Sequence, residues 1–598
     1  MSGDIDPTPA NTDPTAVFVD EALSALEKAL AGLGAPLPRE AIAAQLNLDG
    51  GPEGDLAFPV HRAASAATLR PDELATRLVS ALPASSRFRS TKAKGAYVNF
   101  TIDPTQLTAA TLGLVLDRGP LYGHRPITGP PACIEHTSAN PTGPFHIGRV
   151  RNAIIGDTLV RVVRAAGTPV TTQYYVDDMG RQAAIITWIW SKPRQSWPEP
   201  IRAAVDGAEV EGEKPDARWG RPYPAASAYL KEHPEAREEV AELVREVESG
   251  SPPPRHHELS QAILDGMLAS LARLGIRFDE FVWESSLLRD GSVERVLEGL
   301  HHAPHAVREE NGAWAIDAAT YGLPKESTHV VFQRADGTSL YALRDVAYHL
   351  AKFARFDRAV DVLGQDHQLH ARTLDALLAE AGSTRRPSYL IYQDITVPEG
   401  GRMSTRGGSA VWLDLLLAEA VDRARREVLA RREDLSESDT ERIAEAVATG
   451  ALRYHIVRVA PEKPVVFRWE DALSFEGRSG PFVQYSYARA SSVLRKANAP
   501  ERPYPFDASL LADPEEIALV RVLARFPRTV DYVARTMHVQ ALAGYAHDLA
   551  DQFNRFYHAV PVIRSGPERA SRVALVAAAR QTLGNALDLL GVPRLETM

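Results

Sequence analysis

Several features that would assign the chain to a function class are absent from its sequence. A single cysteine, Cys133, occurs among 598 residues, which excludes an intramolecular disulfide framework and an all-cysteine zinc site. No run of about eighteen apolar residues occurs, so no membrane span is predicted. The sequence also lacks a GxxxxGKS or GxxxxGKT loop and the basic start and apolar segment of a secretory signal. We therefore expect a cytoplasmic protein without a Walker-type nucleotide site.

The charge balance is acidic. Lysine and arginine number 67 against 77 aspartate and glutamate, a formal charge of −10. This argues against a wholly basic nucleic-acid coat protein but leaves room for local basic surfaces. Hydrophobic residues make up 44% and charged residues 24%, as in globular proteins with an ample core. At roughly 150 residues per domain, the length predicts about three or four domains.

The hydrophobic periodicity changes along the chain and predicts a multidomain α/β architecture. Residues 1–14 have little to bury and are expected to form a disordered lead. Helical spacing followed by an alternating strand predicts an N-terminal α+β domain over residues 15–125. A strand–helix–strand rhythm predicts a Rossmann-type doubly wound domain over residues 126–412, with a proline-rich insertion at about 191–255. Only helices are predicted afterwards, so residues 413–598 are expected to form an all-α bundle.

The segment SANPTGPFHIGRVR predicts a phosphate-binding turn. An apolar strand precedes it, Pro141, Gly143 and Pro144 force a turn, and a helix begins near Ile147. A helix N-terminus at the carboxyl edge of a parallel sheet is an anion site, and His146 adds a donor. We therefore predict a polyphosphate ligand; a purely structural hydrogen bond is the alternative role for His146. The residues predicted to contact the polyphosphate are Pro141, Thr142, Gly143, Pro144, Phe145, His146, Gly148 and Arg149.

A second cationic segment, GRMSTRGG at residues 401–408, predicts a mobile loop. Arg402 and Arg406 flank a serine and a threonine, with glycines on both sides. Such a loop can close on a transferring group and stabilise charge on a pyrophosphate leaving group. A plain solvated loop is the alternative if the segment is taken alone. The residues that the two segments offer for catalysis are His146, Gly148, Arg149, Arg402, Met403, Ser404, Thr405 and Arg406.

The two segments, in this order, resemble the signature motifs of class I aminoacyl-tRNA synthetases: HIGR is similar to the HIGH motif and RMSTR to the KMSKS loop. Seven blocks of the chain are similar, in family order, to arginyl-tRNA synthetases of the archaeal-like branch: IEHTSANPTGPFHIGRVRNAIIGD, YYVDDMGRQ, FDEFVWESSLLRDG, DGTSLYALRD, FVQYSYARA, FNRFYHAVPV and LGVPRLETM. The resemblance implies a monomeric ligase that uses ATP with Mg²⁺ to join arginine to tRNA(Arg), without zinc. It also implies that arginine activation depends on bound tRNA.

Two departures from the family motifs are expected to affect the catalytic rate, because they change the geometry of the cationic groups. Arg149 stands in place of the last histidine of the first motif, and Arg402 and Arg406 stand in place of both lysines of the second. Arginine keeps the positive charge and adds a planar fork of donors, so phosphate binding is expected to survive.

A guanidinium substrate needs carboxylates that meet its planar fork of donors. Tyr341 and Asp345 are four residues apart and are expected to share a helix face. For Asp345, an ion pair with Arg344 or a neighbouring helix is the alternative. His367 falls nearest to the position of the family's pocket glutamine. By the resemblance, the arginine pocket comprises Glu135, Asn140, Tyr341, Asp345 and His367.

Three further residues have a structural and a chemical interpretation. Asp177 and Asp178 close a predicted strand as a metal pair would, but a solvated strand end is the alternative. Because Mg²⁺ is expected to arrive with ATP, no dedicated metal site is predicted. Cys133 is expected to lie in the core and not to act as a nucleophile.

Candidate RNA-binding residues lie in two places. Tyr97 and Asn99 share a face of a predicted strand that suits stacking on a splayed-out base and recognition of its edge. An edge strand with ordinary polar residues is the alternative. In the helical part Gln484, Tyr485 and Arg489 are assigned to tRNA, and packing between helices is the alternative for several of these residues.

Two other functions stay open. One is a paralogue that delivers arginine to a biosynthetic acceptor, against which the intact tRNA-facing regions argue. The other is a catalytically silent tRNA-binding relative. The joint presence of six predicted site residues argues against such a loss of catalysis. They are Glu135, Asn140, His146, Gly148, Tyr341 and Asp345.

Overall fold

The three parts predicted from the periodicity follow one another along the chain. The computed structural model describes residues 12–48, 53–206, 213–324, 327–335, 337–338, 340–396, 412–432, 434–500, 502–564 and 566–598. In those ranges no helix has both the length and the apolar character needed to cross a membrane.

The N-terminal part is a three-stranded antiparallel sheet with helices packed on it. The sheet order is β1-β3-β2, so β3 is the central strand. Apolar residues at helical spacing on α1, among them Leu23, Leu26 and Leu30, share one core with this sheet. The elements in chain order are α1 (Ala16–Gly32), α2 (Arg39–Ala43), β1 (Leu56–Pro59), α3 (His61–Ala67), α4 (Pro71–Ala81), β2 (Phe88–Lys94), β3 (Tyr97–Ile102) and α5 (Pro104–Arg118).

The central part contains a parallel sheet of Rossmann type. Its elements in chain order are β4 (Ala132–Glu135), α6 (Ile147–Ala165), β5 (Val170–Val176), α7 (Arg181–Trp190), α8 (Glu199–Ala203), α9 (Pro215–Gly220), α10 (Tyr223–Glu232), α11 (Pro234–Glu248), α12 (His256–Arg273), β6 (Glu280–Trp283), α13 (Glu284–Arg289), α14 (Ser292–His301), β7 (Ala306–Arg308), β8 (Trp314–Asp317), β9 (His329–Gln333), α15 (Tyr341–Arg355), β10 (Arg358–Gly364), α16 (Gln368–Glu380), β11 (Ser388–Tyr392) and β12 (Ile395–Thr396). Five strands pair in parallel in the order β11-β10-β4-β5-β6. The strand order reverses between β4 and β10, and doubly wound folds bind ligands at the carboxyl ends of the strands there.

Two features of the central part go beyond what was predicted for it. The proline-rich insertion is helical: α8, α10 and α11 pack on α7 around a separate apolar core. A small antiparallel sheet, β7-β8-β9, lies between α14 and α15, where no strands were predicted. Its strands are only three to five residues long, so they give a weak signal in the sequence.

The C-terminal part is helical with one exception. Its elements are α17 (Leu413–Leu429), α18 (Glu437–Val457), β13 (Val465–Val466), α19 (Trp469–Ala472), α20 (Gly480–Lys496), α21 (Pro514–Ala524), α22 (Phe526–Thr536), α23 (Gln540–Ala559) and α24 (Arg569–Leu590). The expectation of helices only is wrong at β13, which pairs in parallel with β12. The buried guanidinium of Arg151 holds the two segments together, because it donates to the carbonyls of Gln393 at 2.5 Å and Lys463 at 2.7 Å. Helices α18, α22 and α24 also pack against α6, which begins at the predicted phosphate turn.

Candidate active site

The predicted phosphate turn joins β4 to α6 at the carboxyl edge of the sheet. His146 is the N-cap of α6, and its Nδ1 accepts a hydrogen bond from the N–H of Gly148 at 3.0 Å. Partial burial and the charge of Arg149 lower the pKa of His146, so the ring is neutral at pH 7. Because Nδ1 accepts, the neutral ring carries its proton on Nε2, and His146 is at once a cap and an exposed donor. A Cβ on Gly148 would lie 3.0 Å from Nδ1, so glycine keeps this ring position open.

The rest of the turn contains buried and accessible residues. Phe145 is buried in the core, and its carbonyl accepts a hydrogen bond from the N–H of Leu413 at 2.8 Å. The side chain of Phe145 is therefore not accessible to a polyphosphate, and a contact through its backbone stays a prediction. Pro141 is buried as well, whereas Arg149 is exposed. The residues of the turn that are partly exposed are Thr142, Gly143 and Pro144.

Residue 412, the first described residue after residue 396, lies against this turn. The second predicted motif, Arg402, Met403, Ser404, Thr405 and Arg406, lies outside the described residues, so its contacts stay a prediction. Trp412 follows six residues after Arg406 and forms a single antiparallel bridge with His146. The ring centroids of Trp412 and His146 are 6.0 Å apart and the rings meet edge to face.

A buried ion-pair cluster lies at the carboxyl end of β4. Lys352 donates to Glu135 Oε2 at 2.6 Å and to Asp361 Oδ1 at 2.8 Å. Burial opposes the charge of Lys352, but the two carboxylates outweigh it and raise its pKa. His349 Nε2 lies 2.8 Å from the other oxygen of Asp361. Glu135, His349 and Asp361 have the spacing of metal ligands, but the ammonium group of Lys352 already stands among them.

Tyr341 and Asp345 share one face of α15, and a histidine of α16 joins them. Asp345 Oδ2 lies 2.5 Å from His370 Nε2, and the Tyr341 ring centroid is 5.9 Å from that of His370. The hydrogen bond to Asp345 raises the pKa of His370 although burial opposes it. His367, which was expected at this wall, lies beside it: its ring centroid is 6.4 Å from that of His370, and its Nε2 is 3.6 Å from Asp366 Oδ2. The histidine that meets Asp345 is thus three residues further along the chain.

Glu284, which was not singled out in the sequence, also lines this side of the sheet. It begins α13, is 6% exposed and lies 2.8 Å from the Nε of Arg344. Burial and the charges of Asp177 and Asp345 outweigh that of Arg344 and raise the pKa of Glu284 well above its usual range. Arg344 therefore pairs with Glu284 and not with Asp345. The other half of the alternative, a pair between Asp345 and a neighbouring helix, is confirmed by the contact of Asp345 with His370 of α16. The one signal in the sequence is the block FVWESSLLRDG that contains Glu284.

The two aspartates after β5 bind different partners. Asp177 Oδ2 accepts from Nδ2 of Asn140 at 2.9 Å. Asp178 is 2% exposed and accepts from the N–H and Oγ of Ser285 at 3.0 and 2.7 Å. A solvated strand end is therefore wrong for Asp178, and both carboxylates are engaged by protein donors. Asn140 is held at the crevice by Asp177.

Comparisons with known proteins agree with this arrangement. A family model described as "tRNA synthetases class I (R), catalytic domain" matches residues 131–469, more than half of the chain. The chain belongs to the arginyl-tRNA synthetases. Models described as "Arginyl tRNA synthetase N terminal domain" and "DALR anticodon binding domain" match residues 20–102 and 483–598 of the synthetase.

Individual relatives cover almost the whole synthetase. The arginine–tRNA ligase of Methanothermobacter thermautotrophicus is 41% identical over 582 residues, which cover 97% of this chain and 99% of the relative. That of Methanocella arvoryzae is 41% identical over 531 residues, 88% of this chain and 91% of the relative. The structure of Thermus thermophilus arginyl-tRNA synthetase superimposes with a TM-score of 0.80 at 29% identity, over 97% of this chain and 100% of that one. The chain is an arginine–tRNA ligase of the archaeal type.

The tRNA-binding residues predicted in the N-terminal part of the synthetase are not on one exposed face. Tyr97 is 45% exposed, whereas Asn99 is only 7% exposed. The expectation that both side chains are exposed to a base is therefore wrong for Asn99. The edge-strand alternative is wrong as well, because β3 is the central strand. Tyr97 packs edge-on against His61, with ring centroids 6.2 Å apart, and lies opposite the exposed Lys94 of β2.

The predicted tRNA-binding residues of the bundle also separate. Gln484 is fully buried and donates to the carbonyls of Ala446 and Pro593 at 3.0 and 2.9 Å, so its assignment to tRNA is wrong. The guanidinium of Arg489 lies 4.8 Å from the ring centroid of Tyr485 and 5.0 Å from that of Tyr557. Tyr557 is exposed, so these three side chains form a partly accessible stack at the surface.

Cys133 lies in the core of the catalytic sheet, as expected. It is fully buried on β4, and burial raises the pKa of its thiol to about 12.

Proposed function

We propose that this synthetase forms arginyl-adenylate in the crevice at the carboxyl ends of β4 and β10. The carboxylate of arginine attacks the α-phosphorus of ATP, and pyrophosphate leaves. The arginyl group then passes to a ribose hydroxyl at the 3′ end of tRNA(Arg), and AMP is released. The N-terminus of α6, Nε2 of His146 and the guanidinium of Arg149 stabilise the phosphate charge. Residues 402–406 supply the second cationic contact to the departing pyrophosphate.

One observation carries the assignment of the amino-acid pocket, namely the acidic wall at this edge of the sheet. Asp345, held at 2.5 Å by His370, shares a helix face with the exposed Tyr341. Glu284 is paired with Arg344 and burial raises its pKa, so the negative charge of this wall comes from Asp345. Such a wall suits a planar cation. Glu135 and Asn140, at the end of β4, are then left for the polar groups at the other end of the substrate.

The metal in this reaction is Mg²⁺ that arrives with ATP. The two carboxylates at the end of β5, Asp177 and Asp178, are both engaged by protein hydrogen bonds, which supports an ion carried by ATP instead of a dedicated protein cage. We propose no zinc site.

Each of the three parts of the chain then has its own role in the reaction. Residues 15–125 contact the tRNA through the surface around Tyr97, residues 126–412 carry the chemistry, and residues 413–598 read the anticodon. Tyr485, Arg489 and Tyr557 offer stacking surfaces for unpaired bases. We propose a cytoplasmic monomer in which the N-terminal and helical parts of one chain attach directly to each other, for example through the hydrogen bond from Tyr122 Oη to the carbonyl of Leu523 at 2.8 Å.

Substitution of Asp345→Asn tests the arginine pocket. Loss of one partner of a buried charged pair costs about 2–5 kcal/mol, so kcat/KM for arginine is expected to fall about 30-fold or more. ATP–pyrophosphate exchange in the presence of tRNA measures this, with arginine and ATP varied separately. The control Asp265→Asn removes an exposed carboxylate of α12 and is expected to leave both KM values unchanged. An unchanged arginine KM in the Asp345 variant would refute the pocket.

A further inference from the structure

Helix α9 of the insertion lies directly on the phosphate turn. A Cβ on Gly220, the last residue of α9, would lie 2.8 Å from the carbonyl oxygen of Thr142 and 3.0 Å from the N of Gly143, and closer still to the Gly143 Cα. All three neighbours are backbone atoms, so no side-chain rotation can relieve the contact. Only glycine at position 220 allows this approach. In the opposite direction there is room, because a Cβ on Gly143 would lie 3.6 Å from the Gly220 Cα.

Contacts on its other sides hold α9 in place. The backbone of α12 approaches it so closely that a Cβ on Gly266 would lie 2.6 Å from the N of Asp216. The carbonyl of Trp219 accepts from Nε1 of Trp190 at 2.9 Å, and the two indole rings meet edge to face at 4.6 Å. Helix α9 is thus fixed by α12 and α7. A methyl group added at Gly220 must therefore displace the phosphate turn.

The residue before α9 holds the start of α17. Lys214 Nζ donates to Asp414 Oδ2 at 2.7 Å, and Ser270 Oγ of α12 donates to the other oxygen at 2.9 Å. Asp414 lies in the first turn of α17, two residues after the Trp412 that contacts His146. One short segment, residues 214–220, therefore contacts the phosphate turn and also anchors the residues that pack against its histidine.

We propose that Gly220 and Lys214 are positioning residues for ATP. The close approach of Gly220 sets the backbone of Thr142 and Gly143, and Lys214 fixes α17 so that Trp412 supports His146. This inference rests on the proposed role of the turn in binding ATP. The proline-rich insertion then serves as the support of the nucleotide site and not as a passive elaboration of the fold.

Substitution of Gly220→Ala tests the first contact. A displacement of about 1 Å at a reacting group costs on the order of 100-fold, and we expect the KM for ATP in pyrophosphate exchange to rise at least tenfold. The KM for arginine is expected to stay near the wild-type value, whereas the overpacked backbone contact is expected to lower the melting temperature. The matched control is Gly299→Ala on α14, where nothing lies within 4 Å of the added Cβ. A wild-type KM for ATP, or an equal rise in both KM values, would overturn the proposal.

A double-mutant cycle tests the second contact and also serves if Gly220→Ala does not fold. Lys214→Met and Asp414→Asn are each expected to lower kcat of exchange about fivefold, and the double variant is expected to fall no further. Additive losses, or no loss, would overturn this part. His146→Ala in the same assay distinguishes failure of the proposed ATP site from failure of the positioning role. If the His146 variant catalyses exchange normally, the proposed ATP site is wrong. If it is inactive while the Gly220 variant is normal, only the positioning role is refuted.

Discussion

The buried Lys352 beneath the arginine pocket allows a quantitative prediction. Its side chain is 1% exposed, and its ammonium group joins Glu135 and Asp361 at 2.6 and 2.8 Å. Lys352→Met keeps the length of the side chain but leaves two carboxylates without their cation. Removal of one partner of a buried ion pair costs about 3–5 kcal/mol. At about 2–4 °C per kcal/mol, the melting temperature of the catalytic part is expected to fall by roughly 6–20 °C.

The pH dependence follows from the carboxyl group of Asp361. Burial opposes its ionisation, but Lys352 and His349 outweigh burial and hold its pKa below the ordinary value of 3.8. In the wild type this group contributes stability above about pH 4, and the contribution is lost as the pH falls through the lowered pKa. Without Lys352 burial raises the pKa of Asp361, so the variant loses stability as the pH rises. The difference in melting temperature is therefore expected to be larger at pH 8 than at pH 5.

Thermal unfolding of both proteins at several pH values measures this difference. Lys231→Met, which removes an exposed lysine of α10, is the control and is expected to melt as the wild type does. Asp361→Asn in the Lys352→Met background is expected to recover part of the loss, because it removes one of the unpaired charges. A Lys352 variant that melts within about 2 °C of the wild type at pH 8 would refute the reasoning.

Two further predictions concern substrate binding. Because the pKa of His370 is raised, its imidazolium partly neutralises Asp345 below that pKa, and the KM for arginine is expected to fall as the pH rises through a value above 6.5. His370→Asn is expected to lose this pH dependence. A pH dependence that persists in the variant would contradict the pairing. Arg489→Lys removes the planar cation between Tyr485 and Tyr557 and is expected to raise the KM for tRNA about 5- to 30-fold in charging assays, with unchanged KM values for ATP and arginine; an unchanged KM for tRNA would show that this stack lies outside the tRNA contact.

Local signals were enough to predict the catalytic sheet and the phosphate turn. The apolar run of β4, the turn at Pro141 to Pro144 and the helix that begins at Ile147 are adjacent in sequence, and the structure places them as predicted. His146 illustrates why two interpretations of one residue need not exclude each other. Its Nδ1 performs the structural capping role, and its Nε2 stays available as a donor.

Residues whose environment depends on distant segments were not predictable in this way. Asn99 is buried in a sheet in which its strand partner, Ala57 of β1, lies some forty residues earlier, and the segment at Gly54 approaches its Cβ. Gln484 is buried because α20 packs against α18 and α24. Its amide then donates to the carbonyls of Ala446 and Pro593, neither of which is near it in sequence. His370 rather than His367 meets Asp345 because the packing of α16 against α15 decides which turn faces the pocket. The close contact of Gly220 with Gly143 has no local signal at all.

Charging of total tRNA with labelled arginine tests the central claim most directly, with lysine and citrulline as controls. The wild type is expected to charge arginine only, and His146→Ala is expected to lose on the order of 100-fold in rate. His146→Asn keeps an acceptor for the N-cap and is expected to fold normally but to lose activity as well. Adenylate formation without charging would indicate a biosynthetic paralogue. No charging with any amino acid, by protein that still binds tRNA, would contradict the account.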